Sequence, residues 1–199
     1  MIPVSVFLVV LIIFTSCSYF FGLDEKYIGG KTPNYRSLNK NVIDFLKGNN
    51  ETLSSQFNAR EKTHLADVKK IFTMFKIVFF MSTAILIISL VLLKNKIHGY
   101  FFKSLSKILV FGGAAALIIS FIILIFLSFN FESTFETFHT IFFRHGTYLF
   151  DPTTEMLTRM YSQQLFNDLG FRISISIVGS SLILMISGFF IKGKVLNKM

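Results

Sequence analysis

The chain has 199 residues, 52% of them apolar, and a formal net charge of +9 at pH 7. Its mean hydropathy of +0.61 excludes an ordinary soluble domain and indicates an integral membrane protein. The lysines are spread over several loops, which favours contact with anionic membrane lipid over binding of nucleic acid. A single cysteine, Cys17, excludes internal disulfides and cysteine-based metal sites.

Four apolar runs predict membrane-spanning helices, because each is near the ~20 residues that cross ~30 Å of hydrocarbon. They cover residues 2–21, 72–93, 108–129 and 173–191. We therefore expect an all-α integral membrane protein with a single membrane domain. Two extracytoplasmic segments, residues 22–71 and 130–170, should form a small, mainly helical cap.

The distribution of charge predicts the orientation in the membrane. The connection 94–107 contains four lysines and no acidic residue, and the tail after residue 191 contains three more lysines. Cytoplasmic loops are enriched in Lys and Arg, so we expect both termini to be cytoplasmic. Segment 22–71 is also rich in basic residues, but long loops translocate largely regardless of charge.

The first outer segment is predicted to contain a short amphipathic helix. Apolar residues recur there at helical spacing, namely Val42, Ile43, Phe45 and Leu46. We expect this helix to lie on the membrane or on the other outer segment. Short strands between residues 29 and 40 are an alternative.

A further helix is predicted to carry His64. Asn58 and Glu61 have the spacing of a capping box, so a helix should begin after Asn58 and continue into the second span. On that helix His64 lies one turn from Arg60, Glu61 and Asp67, so a carboxylate can orient the imidazole. Alternatively, Glu61 only caps the helix, while Arg60 and Asp67 only interact with solvent.

The second outer segment carries His139. Ser133 and Glu136 form another capping-box pattern, which predicts a helix that begins at Ser133. A stripe of phenylalanines runs along this helix and is typical of packing: Phe131, Phe135, Phe138 and Phe142. Arg144, His145 and Gly146 are predicted to end it.

Asp151 and Pro152 predict another helix start, with the carboxylate as cap and proline in the first turn. The helix should be an interfacial element ahead of the last span. The sequence contains no glycine-rich phosphate loop, paired metal-ligand motif or serine-centred elbow. We expect no metal and no cofactor, because no ligand spacing accompanies the histidines.

Two segments resemble the signatures of a known family. Residues 57–69, FNAREKTHLADVK, are similar to the first signature of the bacterial lipoprotein intramolecular transacylases. FHTIFF at 138–143, followed by LFDP at 149–152, is similar to the second. The order of spans and motifs agrees over nearly the whole chain.

The resemblance implies an acyltransferase acting on a diacylated lipoprotein. Members of the family move the acyl chain at the second glycerol position of a diacylglyceryl-modified cysteine to the amino group of that cysteine. The product is a lyso-form lipoprotein. By this resemblance His64 and His139 are the paired functional histidines, and Tyr148 stands where the family usually has an aromatic residue.

Imidazole suits the two proton transfers of such a reaction, because its pKa of ~6.5 lies near neutrality. We expect His139 to be the base and His64 the acid or electrostatic partner, although the reverse is also consistent. Arg60, Arg144 or backbone N–H groups would stabilise the oxyanion, with Arg60 favoured because it lies one turn from His64.

The remaining candidates are orienting or substrate-contacting residues. Glu61 or Asp67 would fix an imidazole tautomer, and Tyr148 and Asp151 belong to the second motif. Two other functions remain open at this point. A non-enzymatic membrane accessory or lipid-binding protein would need neither histidine, and a membrane metal-dependent hydrolase would need bound metal.

Overall fold

The computed structural model describes residues 2–28, 33–96, 100–143 and 146–196. Within these residues the chain forms helices and no strand. The helices are α1 (Ile2–Ile28), α2 (Pro33–Lys47), α3 (Ala59–Lys96), α4 (Phe101–Phe129), α5 (Phe131–Phe142), α6 (Met156–Met160) and α7 (Gln163–Leu196). The alternative of strands between residues 29 and 40 is therefore wrong for residues 33–40, which belong to α2, and residues 29–32 lie outside the described residues.

The chain folds as two compact units. The long-helix unit comprises Met1–Ser18, Ile77–Ile125 and Phe171–Met199. The histidine unit comprises Tyr19–Lys76 and Phe126–Gly170. Both histidines of the two sequence motifs belong to the histidine unit.

Three helices have the length and apolarity needed to cross a membrane. They are Ala59–Asn95, Phe101–Phe129 and Gln163–Val195. The prediction of a membrane-spanning length is therefore confirmed for the second, third and fourth apolar runs. The first run is helical as part of α1, but its described apolar stretch, Val4–Cys17, is shorter than a span.

Serine hydroxyls and glycines hold the long-helix unit together. Ser106 Oγ donates to the Gly188 carbonyl at 2.7 Å, and Ser120 Oγ donates to the Ser174 carbonyl at 2.8 Å. At Gly188 an added Cβ would lie 2.9 Å from the Ser106 carbonyl oxygen. Because apolar solvent gives little drive for helices to associate, close backbone approach and hydrogen bonds between helices stabilise such a unit.

The core of the histidine unit is formed by α2, α6 and the beginning of α3. Its buried apolar residues are Leu38, Val42, Phe45, Leu46, Phe57, Leu65, Leu157 and Met160. The prediction that α2 packs on the other outer segment is confirmed, because Leu157 and Met160 belong to that segment. Leu157 and Met160 both face this core, whereas the sequence predicts that their helix lies at the membrane interface.

The capping box at the start of α3 is confirmed. The Glu61 N–H donates to Asn58 Oδ1 at 2.9 Å, and the Asn58 N–H donates to Glu61 Oε2 at 2.7 Å. The prediction that this helix continues into the second apolar run is also confirmed, since α3 extends to Lys96. His64 therefore lies on the same helix as residues 72–93.

The two helix starts predicted in the second outer segment are wrong. Helix α5 begins at Phe131, because Asn130 is its cap and accepts from the Ser133 N–H at 3.0 Å. Asp151 caps no helix. It accepts from the N–H and hydroxyl of Thr153 in a turn, and α6 begins only at Met156, after Glu155.

Candidate active site

The structure brings His64 and His139 together. His64 lies on α3 and His139 on α5, and their ring centres are 6.1 Å apart with an angle of 18° between the planes. Their residues are 8% and 9% exposed, respectively. One substrate of modest size can therefore contact both imidazoles.

Aromatic side chains surround the pair. The Phe143 ring lies 4.6 Å from His64 and 5.3 Å from His139. On the other sides, Phe150 lies 5.2 Å from His64, and Tyr148 lies 5.1 Å from His139. These rings remove water from around the histidines, which strengthens electrostatic interactions between the site and a reacting group.

A backbone carbonyl fixes the tautomer of His139. Its Nδ1 lies 2.7 Å from the carbonyl oxygen of Phe135, one turn earlier on α5. A carbonyl oxygen only accepts hydrogen bonds, so Nδ1 carries the proton and donates it. In the neutral imidazole, Nε2 therefore has a free lone pair and can accept a proton.

The Nδ1 atom of His64 is buried without a hydrogen-bond partner among the described residues. A buried N–H left without an acceptor costs more than a buried lone pair left without a donor. The favoured neutral tautomer of His64 therefore has its proton on Nε2. The two Nε2 atoms then have complementary hydrogen-bonding roles. That of His139 accepts, and that of His64 donates.

Burial lowers the pKa of both imidazoles. His64 precedes the apolar part of α3, and its burial, reinforced by the nearby His139, lowers its pKa from 6.5 to about 4 against an opposing effect of Asp67. Burial also lowers the pKa of His139, while the hydrogen bond to Phe135 opposes that shift. Desolvation disfavours the charged form of an imidazole and is the larger effect in both residues.

Glu61 joins the two segments that carry the histidines. Its side chain is buried at 1% exposure, and its Oε1 accepts from the N–H of Leu157 at 2.7 Å. The other oxygen accepts from Asn58 in the capping box. These contacts place Glu61 as a cap and a tie between α3 and α6, with both carboxylate oxygens occupied.

Glu155 forms a second tie and is a residue that the sequence analysis misses. Its Oε1 accepts from Asn58 Nδ2 at 3.1 Å, and its Oε2 accepts from the Asp151 N–H at 2.6 Å. Sequence patterns do not reveal its importance, because Asn58 lies 97 positions away. Phe143 and Phe150 are missed for the same reason, since their contacts with His64 are distant in sequence.

Arg60 contacts the loop that carries Phe150. Its guanidinium donates to the Leu149 carbonyl, approaches Glu155 at 3.7 Å and lies 5.5 Å from the Phe150 ring centre. The side chain is 57% exposed. Arg60 thus holds the loop next to His64.

The other candidates have different places. Asp67 pairs with Lys70 at 2.8 Å, and it acts on His64 through its charge rather than through a described hydrogen bond. Asp151 is exposed, and hydrogen bonds from the Thr153 hydroxyl and N–H lower its pKa. Arg144 lies outside the described residues. Among the described residues, no group of three or more His, Cys, Asp or Glu side chains could hold a metal ion.

Comparisons with known proteins identify the family of this chain. A family model described as lipoprotein intramolecular transacylase Lit matches residues 1–166. No individually curated protein matches the chain significantly.

Solved structures share the fold. The membrane integral lipoprotein intramolecular transacylase Lit from Bacillus cereus is 20% identical, with a TM-score of 0.77 over 96% of this chain and 93% of that chain. Two variants of that protein, with one histidine replaced by arginine or by alanine, are each 19% identical, with TM-scores of 0.74 and 0.72. They cover 98% and 96% of this chain, and 92% and 91% of their own. From the family match over most of its length, the chain belongs to the lipoprotein intramolecular transacylases and is a membrane acyltransferase.

Proposed function

We propose that His139 transfers the protons, and that His64 stabilises the oxyanion, in an intramolecular acyl transfer on a diacylated lipoprotein. The substrate is a diacylglyceryl-modified cysteine, whose acyl chain moves from the second glycerol oxygen to its own amino group. The observation that carries this assignment is the 6.1 Å between the two ring centres, together with the tautomers inferred from the hydrogen bond of His139 Nδ1 and the unpartnered Nδ1 of His64. His139 presents an acceptor, and His64 presents a donor.

In the first step, the substrate amine attacks the ester carbonyl carbon and forms a carbon–nitrogen bond. His139 Nε2 takes a proton from the nitrogen as its charge becomes positive. The carbonyl oxygen gains negative charge, and the Nε2–H of neutral His64 donates a hydrogen bond to it. A preorganised donor in a water-poor site stabilises such an oxyanion strongly.

In the second step, the carbon–oxygen bond of the ester breaks. The glycerol oxygen leaves as an alkoxide and receives the proton that His139 holds. The amide and the free hydroxyl are then formed, and the enzyme returns to its starting protonation. No enzyme nucleophile is required, because amine and ester belong to one substrate molecule and are held close together.

Arg60, Glu61 and Glu155 are positioning residues in this proposal. Glu61 and Glu155 tie the end of the Phe150 loop to the start of α3, and Arg60 binds the same loop through the Leu149 carbonyl. The loop in turn places Phe150 against His64. Asp67, Tyr148, Asp151 and Arg144 remain substrate-contacting or orienting candidates.

We further propose that α1 is a fourth span and that the histidine unit forms an extracytoplasmic cap, with both termini cytoplasmic. All 11 acidic residues of the chain lie within residues 22–71 and 130–170. Connection 94–107 has only basic charges, as cytoplasmic loops do. In a Cys17→Ser background, a cysteine introduced at the exposed Tyr100 should resist a membrane-impermeant thiol reagent in intact cells, whereas one at the exposed Thr153 should react. The opposite pattern would contradict this orientation.

The chemistry is tested with purified protein and a synthetic diacylated lipopeptide. Fragmentation mass spectrometry should find a product of unchanged mass with one acyl chain on nitrogen. His139→Ala and His64→Ala should each lower the rate by at least about 100-fold, the scale of a lost general base and of a lost oxyanion donor, respectively. His98→Ala, outside both motifs, is the matched control. Wild-type activity in either motif variant would contradict the assigned roles.

A further inference from the structure

A second cluster of charged side chains lies in the long-helix unit. Between α4 and α7 there is a cavity of about 240 Å³, which we call the lysine groove. Lys103 and Lys107 line it from the beginning of α4, and Lys192 lines it from the end of α7. The two helices are in direct contact here, since Ser106 Oγ donates to the Gly188 carbonyl at 2.7 Å.

The sequence provides no acidic partner for these lysines within their unit. Every Asp and Glu of the chain lies within residues 22–71 and 130–170, and the long-helix unit contains neither range. Lys103 and Lys107 are one turn apart on α4, a spacing at which like charges repel. Lys103 also lies in the first turn of that helix, where the helix dipole disfavours cations. An anion bound among the lysines would offset both effects.

The rest of the groove is apolar. Val110, Phe111 and Phe189 line it beyond the lysines. Phe111 and Phe189 are exposed, at 57% and 53%. A free phosphate would use only the charged end, whereas a phospholipid would place its phosphate at the lysines and an acyl chain along the aromatic rings. The positive charge of the lysines and the apolar surface beyond them therefore both favour a phospholipid.

We propose that the lysine groove binds one anionic glycerophospholipid. Its phosphate is held by Lys103, Lys107 and Lys192, and one acyl chain lies against Val110, Phe111 and Phe189. This lipid is bound as a structural ligand, and its binding does not depend on the acyl-transfer reaction of the histidine unit.

The test uses native mass spectrometry of the full chain in detergent, titrated with phosphatidylglycerol or with phosphatidylcholine of the same acyl chains. We expect the first bound phosphatidylglycerol to have at least about five-fold higher affinity than phosphatidylcholine. Lys107→Gln should weaken its binding about five-fold, since one lysine near an anionic lipid contributes on this scale. Replacement of all three lysines by glutamine should weaken it at least about thirty-fold.

Lys94→Gln and Lys194→Gln are the matched controls, because both lysines belong to the same unit and neither lines the groove. The Lys194 ammonium instead lies 4.6 Å from the Phe190 ring centre. Together these two changes should alter the affinity for phosphatidylglycerol by less than about two-fold, because an exposed charge screened by solvent contributes little binding energy.

Three results would each overturn the proposal. In the first, phosphatidylglycerol and phosphatidylcholine bind equally well. In the second, substitution of the groove lysines leaves the affinity for phosphatidylglycerol unchanged; in the third, the groove and control variants lose the same affinity, which would indicate non-specific attraction of the lipid to positive charge. If the triple variant is not monodisperse, the single Lys107→Gln variant decides by the same criteria.

Discussion

Glu61→Gln is expected to destabilise the protein without changing the size of the side chain. Both oxygens of Glu61 accept backbone N–H groups, from Asn58 and from Leu157, each at 2.7 Å. The amide of glutamine has only one acceptor oxygen. Its NH₂ group would face the second N–H, so two donors would meet in a region that is closed to water.

The size of the effect follows from the burial and charge of these contacts. A hydrogen bond to a charged group contributes about 1.5–3 kcal/mol, and a buried donor left without an acceptor costs a further 1–3 kcal/mol or so. We therefore expect a loss of about 2.5–6 kcal/mol for Glu61→Gln. For a chain of this length, that corresponds to a melting temperature lower by about 5–25 °C.

The measurement is thermal unfolding of the purified protein in one detergent, compared with a Glu51→Gln variant. Glu51 is exposed, and its substitution removes the same charge, so its melting temperature should change by no more than about 2 °C. Equal melting temperatures for the Glu61 and Glu51 variants would refute the structural role assigned to Glu61.

Two further predictions test one residue in each unit, His64 in the histidine unit and Gly188 in the long-helix unit. Because the folded protein holds the pKa of His64 below its ordinary value, at about 4, the unfolded chain binds more protons below pH 6.5, and stability should fall as the pH is lowered. At pH 4.5 the loss of stability due to His64 is about 2–3 kcal/mol. In thermal unfolding at pH 7.5 and 4.5, a His64→Phe variant should lose less stability than wild type, and equal losses would contradict the burial argument. Gly188→Ala should lower the melting temperature by several degrees, since the added Cβ would lie 2.9 Å from the Ser106 carbonyl oxygen. Gly179→Ala, where a Cβ meets nothing within 4 Å, is its control, and a similar loss in both variants would show that packing at Gly188 is not the cause.

Features of the fold that depend on neighbouring residues could be predicted from the sequence. The start of α3 is one, because Asn58 and its partner Glu61 are three positions apart. The start of α5 shows the limit of this reasoning: Asn130 and Ser133 both have cap-forming side chains, and only the structure shows that Ser133 donates its N–H to Asn130. Likewise, the carboxylate of Asp151 binds Thr153 in a turn, a local alternative to capping a helix.

Contacts between distant parts of the chain could not be predicted in this way. The motifs identify His64 and His139, but their stacking depends on how α5 packs beside α3. Glu155 has no local pattern that distinguishes it from an exposed acid, and its burial becomes evident only when Asn58 is seen beside it. The contact of Phe143 with His64 is equally non-local.

The hydrogen bond between His139 Nδ1 and the Phe135 carbonyl affects how the protein tolerates substitution at residue 135. In many sites a carboxylate orients the basic histidine, and loss of that carboxylate misaligns the base. Here the orienting group is part of the main chain, one turn away on the same helix. Every amino acid supplies that oxygen, so this hydrogen bond of His139 survives exchange of the Phe135 side chain for as long as α5 stays helical.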